Sequence, residues 1–332
     1  MGWIGVDLFF VLSGFLVSGL LFREYIKYGN ISARNFLIRR GFKIYPIYYI
    51  FYIVYLIPIL LNGSFKPILF LSDLVFLQNY VTGWGYAYSA SWSLAVEEHF
   101  YFALAIVTSY WINKKKFDLR DQKGTKIERV IFSIMFLCLI MRLVQYYLAR
   151  QFHLGINNFT MTHLRIDSLL AGVLVSYWYH FRIEYLKSIF DIMKPIFLPM
   201  ILVLISFTPF FEPLSSPFVT TFGFSLLYVA FSLLLIYFLL TEKINDKLNT
   251  VFTKYLVDAI AEIGLYSYSI YIIHQFIHKM VMQYIEKGLT QNKYILFLIV
   301  FCSSVLIGKI MTDLIEKYFL RIRDKYYPSR IT

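Results

Sequence analysis

Four ionisable side chains lie in largely apolar stretches of this sequence, where they could accept or donate protons. They are Asp7, Glu97, Asp167 and His274, and Glu98 adjoins Glu97. An ionised side chain at the centre of a bilayer costs about 2.5–3.5 kcal/mol or more, so such groups face a polar interior and mark a site. A carboxylate or imidazole held there could take a proton from a hydroxyl. The sequence therefore predicts a buried acid–base site.

A cluster of basic residues stands apart from these acids. Arg39, Arg40 and Lys43 precede the second apolar stretch, and Arg39 and Lys43 are one helical turn apart on a shared face. A guanidinium is a planar fork that binds phosphate through two hydrogen bonds, whereas the simpler alternative is a positive-inside anchor. At about 1.5 Å per residue, the acids fall in the outer half of the membrane and the cations at its inner boundary.

Two pairs of ionisable residues allow simpler interpretations. Glu97 and Glu98 near a helix start would also favour the helix dipole. His163 and Asp167 are four residues apart, so they share a helix face. That spacing suits an orienting hydrogen-bonded pair as well as a catalytic one.

A histidine pair and one arginine within the predicted spans also allow simpler interpretations. His274 and His278 are four residues apart, a spacing that two histidine ligands of one metal ion can have. No third ligand accompanies them in that segment, so no metal is expected. Arg142 lies inside a predicted span and is expected to reach the membrane surface or to form an interior ion pair.

Nine apolar stretches are long enough to cross a bilayer, which takes about 20 residues. The 332-residue chain is 59% apolar and 16% charged, which excludes an ordinary soluble domain. We predict an all-α polytopic bundle forming one domain over residues 1–332. The predicted spans are Ile4–Phe22, Ile44–Leu61, Ala90–Ile112, Glu128–Ala149, His163–His180, Lys194–Phe211, Pro217–Leu240, Ala259–Ile285 and Tyr294–Ile315. The stretch Pro67–Asn79 is too short and is predicted to be re-entrant or interfacial.

The distribution of basic residues predicts the orientation of the bundle. Connections 23–43, 113–129, 181–194 and 241–254, with the tail 316–332, hold 24 of the 32 Lys and Arg residues. Because these regions alternate with poorly charged ones, we place them and the C-terminus on the cytosolic side of a bacterial cell membrane. The net charge of +12 then follows from topology at the lipid surface, and no nucleic-acid partner is expected.

Five motifs occur in order along the chain. They are GVDLFFVLSGFL at 5–16, RRGFKIYP at 39–46, WSLAVEEHFY at 92–101, RIDSLLAG at 165–172 and GLYSYSIYIIH at 264–274. Together they resemble the acyltransferase 3 family of integral-membrane acyltransferases, which modify sugars and other acceptors outside the cytosol. The resemblance extends from residue 5 to about residue 320, essentially the whole chain.

The resemblance implies roles for individual residues. Arg39, Arg40 and Lys43 would hold the phosphates of acetyl-coenzyme A, the acyl donor, at the cytosolic mouth. Asp7, Ser13 and Gly14 would shape the core helix beside a transfer site lined by Trp92 and Glu97. The candidate catalytic residues are Glu97, His274, Asp7 and Trp92, and the candidate acceptor-site residues are Arg165, Asp167 and His163.

The chain departs from the family pattern at both ends. Family members carry an additional first helix with an arginine and, about ten residues later, a histidine regarded as the catalytic base. An odd number of spans would also place Met1 outside, so we expect a tenth helix upstream in the complete protein and little activity without it. Near the last helix, Glu316 is followed by Lys317 and Tyr318 where the family often has Glu-x-Pro.

The expected activity is acyl transfer, most simply of acetyl, from cytosolic acyl-coenzyme A to a hydroxyl of an exported or lipid-linked saccharide. One rival is a polytopic transporter or flippase of glycan precursors, which predicts inverted repeats that the sequence lacks. The other is a degenerate, non-catalytic homologue.

Overall fold

The computed structural model of the protein describes residues 2–114, 118–119, 125–151, 158–285 and 292–331. Within these ranges every regular element is helical, which confirms the predicted all-α class. Parts of the predicted connections 113–129, 150–165 and 286–293 lie outside the described residues.

Fourteen α-helices follow one another along the described chain. They are α1 (Gly5–Tyr28), α2 (Ala33–Leu61), α3 (Pro67–Leu74), α4 (Gln78–Val81), α5 (Ser91–Asn113), α6 (Thr125–Gln151), α7 (Ile166–Phe181), α8 (Ile183–Ile205), α9 (Phe224–Leu240), α10 (Ile244–Val251), α11 (Lys254–Leu265), α12 (Ser267–Ile285), α13 (Lys293–Met311) and α14 (Lys317–Tyr326). The π-helical segments Val219–Gly223 and Thr312–Glu316 lead into α9 and α14, and a short 3-10 turn, Thr162–Leu164, precedes α7.

The helices have the lengths and compositions of a multi-pass membrane protein. Five stretches of the described chain are long and apolar enough to cross a bilayer, and a sixth is added if the bent pair α11–α12 is one span. The five are Gly2–Tyr28, Ala33–Leu61, Ile183–Ile205, Val219–Leu240 and Tyr294–Tyr326. Helix occupies each of the nine predicted stretches, but the count of nine spans stays a prediction.

The centre of the bundle is the pair α1 and α7, which run in the same direction. Asp7 at the start of α1 contacts Ser168 at the start of α7, and Phe22 near the end of α1 meets Tyr177 near the end of α7. Helices in a membrane associate through close van der Waals packing, which glycines permit. A Cβ atom on Gly172 of α7 would lie only 2.1 Å from a main-chain oxygen of α1, so the two backbones are in direct contact.

The predicted eighth span, Ala259–Ile285, is wrong as a single helix. The chain bends by 81° between α11 and α12. In α11, Lys254, Asp258 and Glu262 recur every four residues and form one polar stripe. This stripe keeps α11 at the surface, where none of its residues is buried.

Two other predicted boundaries also move. The sixth span was expected at Lys194–Phe211, but α8 begins at Ile183 and ends at Ile205. Residues 206–210 form turns, and Pro209 lies among them. The second span was expected at Ile44, but α2 begins at Ala33, where the Ser32 hydroxyl accepts a hydrogen bond from the Asn35 amide. The basic cluster therefore lies inside α2 and not before it.

Residues 67–79 form no span, in agreement with the sequence. They contain α3 and the start of α4, two short helices joined by a turn. The buried carboxylate of Asp73 accepts hydrogen bonds from the amides of Tyr86 and Ala87, at 2.9 Å and 3.1 Å for its Oδ2 atom. This carboxylate fixes the loop that leads into α5.

Candidate functional site

A cavity of about 580 Å³ lies at the end of the bundle where α1 ends and α2 begins. Basic side chains from three parts of the chain line it: Arg23 of α1, Arg39, Arg40 and Lys43 of α2, and Arg323 and Arg330 near the C-terminus. Its acidic lining residues are Glu24 and Asp324. We call it the basic cavity, and it brings together all three residues predicted to hold phosphate.

Arg39 and Lys43 share a face of α2, as their spacing predicts, and both contact residues in or next to α14. The Arg39 Nη2 atom is 3.0 Å from the Asp324 Oδ1 atom, and Nη1 donates to the main-chain oxygen of Tyr327. The Lys43 ammonium pairs with the buried carboxylate of Glu316, just before α14. Two of the predicted phosphate ligands are thus paired with acidic groups of this chain.

Arg40 turns toward the interior of the bundle. Its Nη2 atom donates to the Tyr101 hydroxyl at 3.1 Å, and its guanidinium lies 4.7 Å from the centre of the Tyr101 ring. It is also close enough to Glu97 and Glu98 for their charges to interact. The predicted separation of inner cations from outer acids is therefore wrong at Arg40. Depth along a helix axis does not include the reach of a long side chain across the bundle, and the Arg40 side chain has that reach.

Glu97 and Glu98 are both buried on α5. Glu97 interacts with Arg40, Ser13 and Tyr101, and the Ser13 and Tyr101 hydroxyls are 2.5 Å apart. Glu98 accepts a hydrogen bond from the Tyr45 hydroxyl at 2.8 Å. One buried oxygen of each carboxylate, Oε1, has no hydrogen-bond partner. Leaving a buried acceptor unsatisfied costs about 1–3 kcal/mol, so each of these oxygens has the capacity to accept a hydrogen bond from a polar group.

A second buried group joins Asp7 to Arg165. The Arg165 Nη2 atom donates to Asp7 Oδ1 at 2.8 Å, and the Ser168 hydroxyl donates to the same oxygen at 3.1 Å. The Arg165 guanidinium lies 3.5 Å from the centre of the Phe224 ring and 5.9 Å from the Trp92 ring. Asp7 Oδ2 and two Arg165 nitrogens have no hydrogen-bond partner. Three predicted site residues, Asp7, Trp92 and Arg165, therefore meet in one place.

Asp167 and His163 do not form the predicted pair. Asp167 is fully buried and lies 2.7 Å from the Nη1 atom of Arg142, which confirms an interior ion pair for Arg142. His163 lies in the turn before α7, where its ring stacks on Tyr80 and its Nδ1 atom is 3.1 Å from the Tyr80 hydroxyl. The prediction assumed one continuous helix, but the chain changes direction at Arg165, between the 3-10 turn and α7.

His274 lies on α12, next to the start of α5. Its Nδ1 atom is 2.6 Å from the main-chain oxygen of Tyr271. Because that oxygen can only accept, Nδ1 is the donor of this hydrogen bond, and in the neutral ring Nε2 is then the nitrogen with the lone pair. The Tyr271 hydroxyl is 2.6 Å from the Ser93 hydroxyl, so His274 adjoins the Trp92 end of α5 through one tyrosine. Among the described residues, no three His, Cys, Asp or Glu side chains are grouped as ligands of one metal ion.

Sequence reasoning missed several residues at these sites. Tyr101 follows Glu97 by one helical turn, and that spacing is a signal that could have found it. Arg323 and Arg330 line the basic cavity, but they are almost 300 residues from Arg39 and carry no spacing signal that relates them to it.

Comparison with known proteins places this arrangement in context. The family model of the acyltransferase 3 family, described as an acyltransferase domain, matches residues 1–313. A Staphylococcus aureus (strain COL) protein that carries the name "putative O-acetyltransferase" is 28% identical over 205 aligned positions, covering 55% of this chain and 31% of that protein. O-acetyltransferase OatA of the same strain is 26% identical over 203 positions, with the same two coverages.

These curated relatives are much longer than the matching region, since the chain spans about a third of their length. No solved structure matches the chain. The family match includes α1, the basic cluster, both buried carboxylate groups and α12. On that match, the chain belongs to the acyltransferase 3 family.

Proposed function

We propose that this protein transfers an acyl group, most simply acetyl, from cytosolic acyl-coenzyme A to a hydroxyl of an exported or lipid-linked saccharide. One observation carries the proposal: Arg40 lines the basic cavity and also contacts Tyr101 beside Glu97. A cavity suited to an anionic donor thus adjoins a buried carboxylate. Family membership and the O-acetyltransferase names of the relatives support acyl transfer.

The basic cavity suits the donor by charge. Its six basic lining residues outnumber its two acidic ones, and with Glu316, which pairs with Lys43, the balance is still positive. Coenzyme A carries its phosphates at the nucleotide end, and arginine binds phosphate bidentately. The positive-inside rule supports a cytosolic location for this end of the bundle, where acyl-coenzyme A is made.

The pantetheine arm then runs from the basic cavity toward Glu97. Arg40, Tyr101 and Ser13 form a hydrogen-bonded series that ends beside this carboxylate. In the reaction, Glu97 takes the proton of the acceptor hydroxyl and the oxygen forms a bond with the thioester carbonyl carbon. The carbon–sulfur bond breaks, and the thiolate leaves with coenzyme A and takes up a proton. Positioned base catalysis of this kind contributes about 10²–10⁴-fold.

The acceptor is assigned to the side of Asp7 and Arg165. The unpartnered atoms of these two side chains can exchange hydrogen bonds with sugar hydroxyls, and Trp92 lies in the aromatic wall around Arg165. His274 adjoins this region, and its Nδ1 atom is held by the Tyr271 main-chain oxygen, so in the neutral ring Nε2 is the nitrogen that could accept a proton. A saccharide offers both hydroxyl groups and an apolar ring face to such a site.

The test measures donor binding first and transfer second. The protein is expressed from its complete reading frame, placed in lipid nanodiscs and titrated with radiolabelled acetyl-coenzyme A. We expect saturable binding that falls about tenfold or more when Arg39→Ala and Arg40→Ala are combined, because two phosphate contacts are lost. The matched control is Arg150→Ala, which removes an exposed cation outside the basic cavity.

Transfer is then followed in membrane vesicles as label incorporated into saccharide. Label in the saccharide supports the enzyme. Movement of unlabelled saccharide across the membrane without label transfer would instead favour the transporter. An external location of the Arg39–Arg40 segment in tag-accessibility mapping contradicts a cytosolic donor.

A further inference from the structure

The last described residues, 324–331, fold back over the basic cavity, and we call them the C-terminal segment. Its contacts with α1 and the α1–α2 turn are specific. The Tyr28 hydroxyl donates to the main-chain oxygen of Arg330 at 2.5 Å, and the Lys27 ammonium donates to that of Ile331 at 3.3 Å. The Arg330 guanidinium lies 4.9 Å from the centre of the Tyr28 ring and pairs with Glu24. The segment is thus a wall of the cavity.

The segment occupies Arg39 with two acceptors. Asp324 Oδ1 lies 3.0 Å from one terminal nitrogen of Arg39, and the Tyr327 oxygen accepts from the other. The Asp324 carboxylate and the Tyr327 main-chain oxygen give the guanidinium two hydrogen-bond acceptors, as two oxygens of one phosphate would. The Asp324 side chain is half exposed, at 53%, so the pair is open to competition from solvent and from anions.

The segment and the end of α14 also bring cations. Arg323 pairs with Asp324 at 2.9 Å, and Arg330 adds a hydrogen bond to Asn30 at 3.1 Å. Asp324 therefore holds two arginines, one from α2 and one from α14. Any anion that displaced this carboxylate would meet both guanidinium groups at once.

We propose that the C-terminal segment is part of the donor site, with Asp324 covering Arg39 until a donor phosphate replaces it. Arg323 and Arg330 then bind donor phosphate together with Arg39. The identity of the donor as an acyl-coenzyme A rests on the proposed function. The simpler alternative is that the segment only anchors the C-terminus, and that alternative predicts no effect of these residues on donor affinity.

The experiment uses the full chain in nanodiscs and coenzyme A as the probe. Asp324→Asn should bind coenzyme A about two- to fivefold more tightly. The substitution removes the Arg39–Asp324 ion pair, which competes with donor phosphate and, being half exposed, contributes little energy. Arg323→Gln and Arg330→Gln should each weaken binding about tenfold, and raised salt should shrink both losses. Lys325→Gln is the matched control, because it removes a neighbouring charge that does not line the cavity.

The outcomes separate this proposal from the proposed function. If the wild-type protein and the combined Arg39→Ala and Arg40→Ala variant differ as expected but the Asp324, Arg323 and Arg330 variants behave like the control, the segment is only an anchor. If the wild type binds no coenzyme A, the proposed donor fails and this proposal fails with it. Misfolding of the Arg330 variant cannot imitate support, because Asp324→Asn must tighten binding and a misfolded protein loses it.

Discussion

Gly14 of α1 lies against the backbone of Leu169 of α7, and a Cβ atom on Gly14 would come within 2.0 Å of the Leu169 carbonyl oxygen. The two helices carry Asp7 and Asp167 in their first turns. Their separation therefore sets the distance between the two buried acidic groups. A backbone contact of this kind cannot be relieved by a rotamer change, since the obstructing atom belongs to the main chain.

We predict that Gly14→Ala separates α1 from α7 and lowers the thermal unfolding temperature. Overpacking of this contact should lower the free energy of unfolding by about 1–3 kcal/mol or more. Thermal unfolding of the purified protein in detergent measures it. Gly264→Ala is the control, because a Cβ atom there meets nothing within 4 Å. Equal melting temperatures for the two variants would show that the close contact does not limit stability.

The Arg142–Asp167 pair leads to a second prediction. Both side chains are fully buried, so removing one partner leaves an uncompensated charge and costs about 3–5 kcal/mol. Arg142→Met and Asp167→Leu should therefore each reduce the yield and melting temperature of folded protein, and the double variant should recover much of both. A double variant that folds well but does not transfer would show that the pair is needed for transfer as well as for folding. A double variant no better than the single ones contradicts the ion-pair account.

The sequence predicted the presence of helices and the residues that share a face, although not every helix boundary. Apolar length predicted helices throughout, and the turn spacing of Arg39 and Lys43 predicted their shared face. It also held the signal for the break before α12, since Asp258 and Glu262 form a polar stripe that a buried span would not carry.

Contacts between helices were not predictable in the same way. The sequence predicted Arg40 as a donor-site residue because it adjoins Arg39. Its guanidinium also contacts Tyr101 on α5. Asp324 contacts Arg39 although almost the whole chain separates the two residues in sequence. Periodicity gives the face of a helix but not the neighbour that this face meets, so the link between the basic cavity and Glu97 needed the structure.

Tyr101 is expected to act through its hydroxyl, which contacts both Arg40 and Ser13. We predict that Tyr101→Phe lowers kcat about 10- to 100-fold, since a hydrogen bond to a charged group contributes about 1.5–3 kcal/mol. The affinity for coenzyme A should change far less, because Arg39 and Lys43 remain. Transfer kinetics and donor titration together make the measurement. Tyr147→Phe removes an exposed hydroxyl and is the control; a similar kcat loss there would exclude a specific role.

Arg165 provides the prediction that separates the acceptor side from the donor side. Its guanidinium donates to Asp7 and stacks on the Phe224 ring at 3.5 Å, a geometry that needs a planar group. Lysine has the same charge but no planar group to stack on the ring. Arg165→Lys should therefore reduce the rate of transfer to saccharide by at least about tenfold. Coenzyme A binding should stay within about twofold of the wild type, since Arg165 does not line the basic cavity. Arg150→Lys, at an exposed position on α6, is the control for the exchange itself. Loss of donor binding in Arg165→Lys would contradict the division of the two sites, because the substitution lies outside the donor cavity.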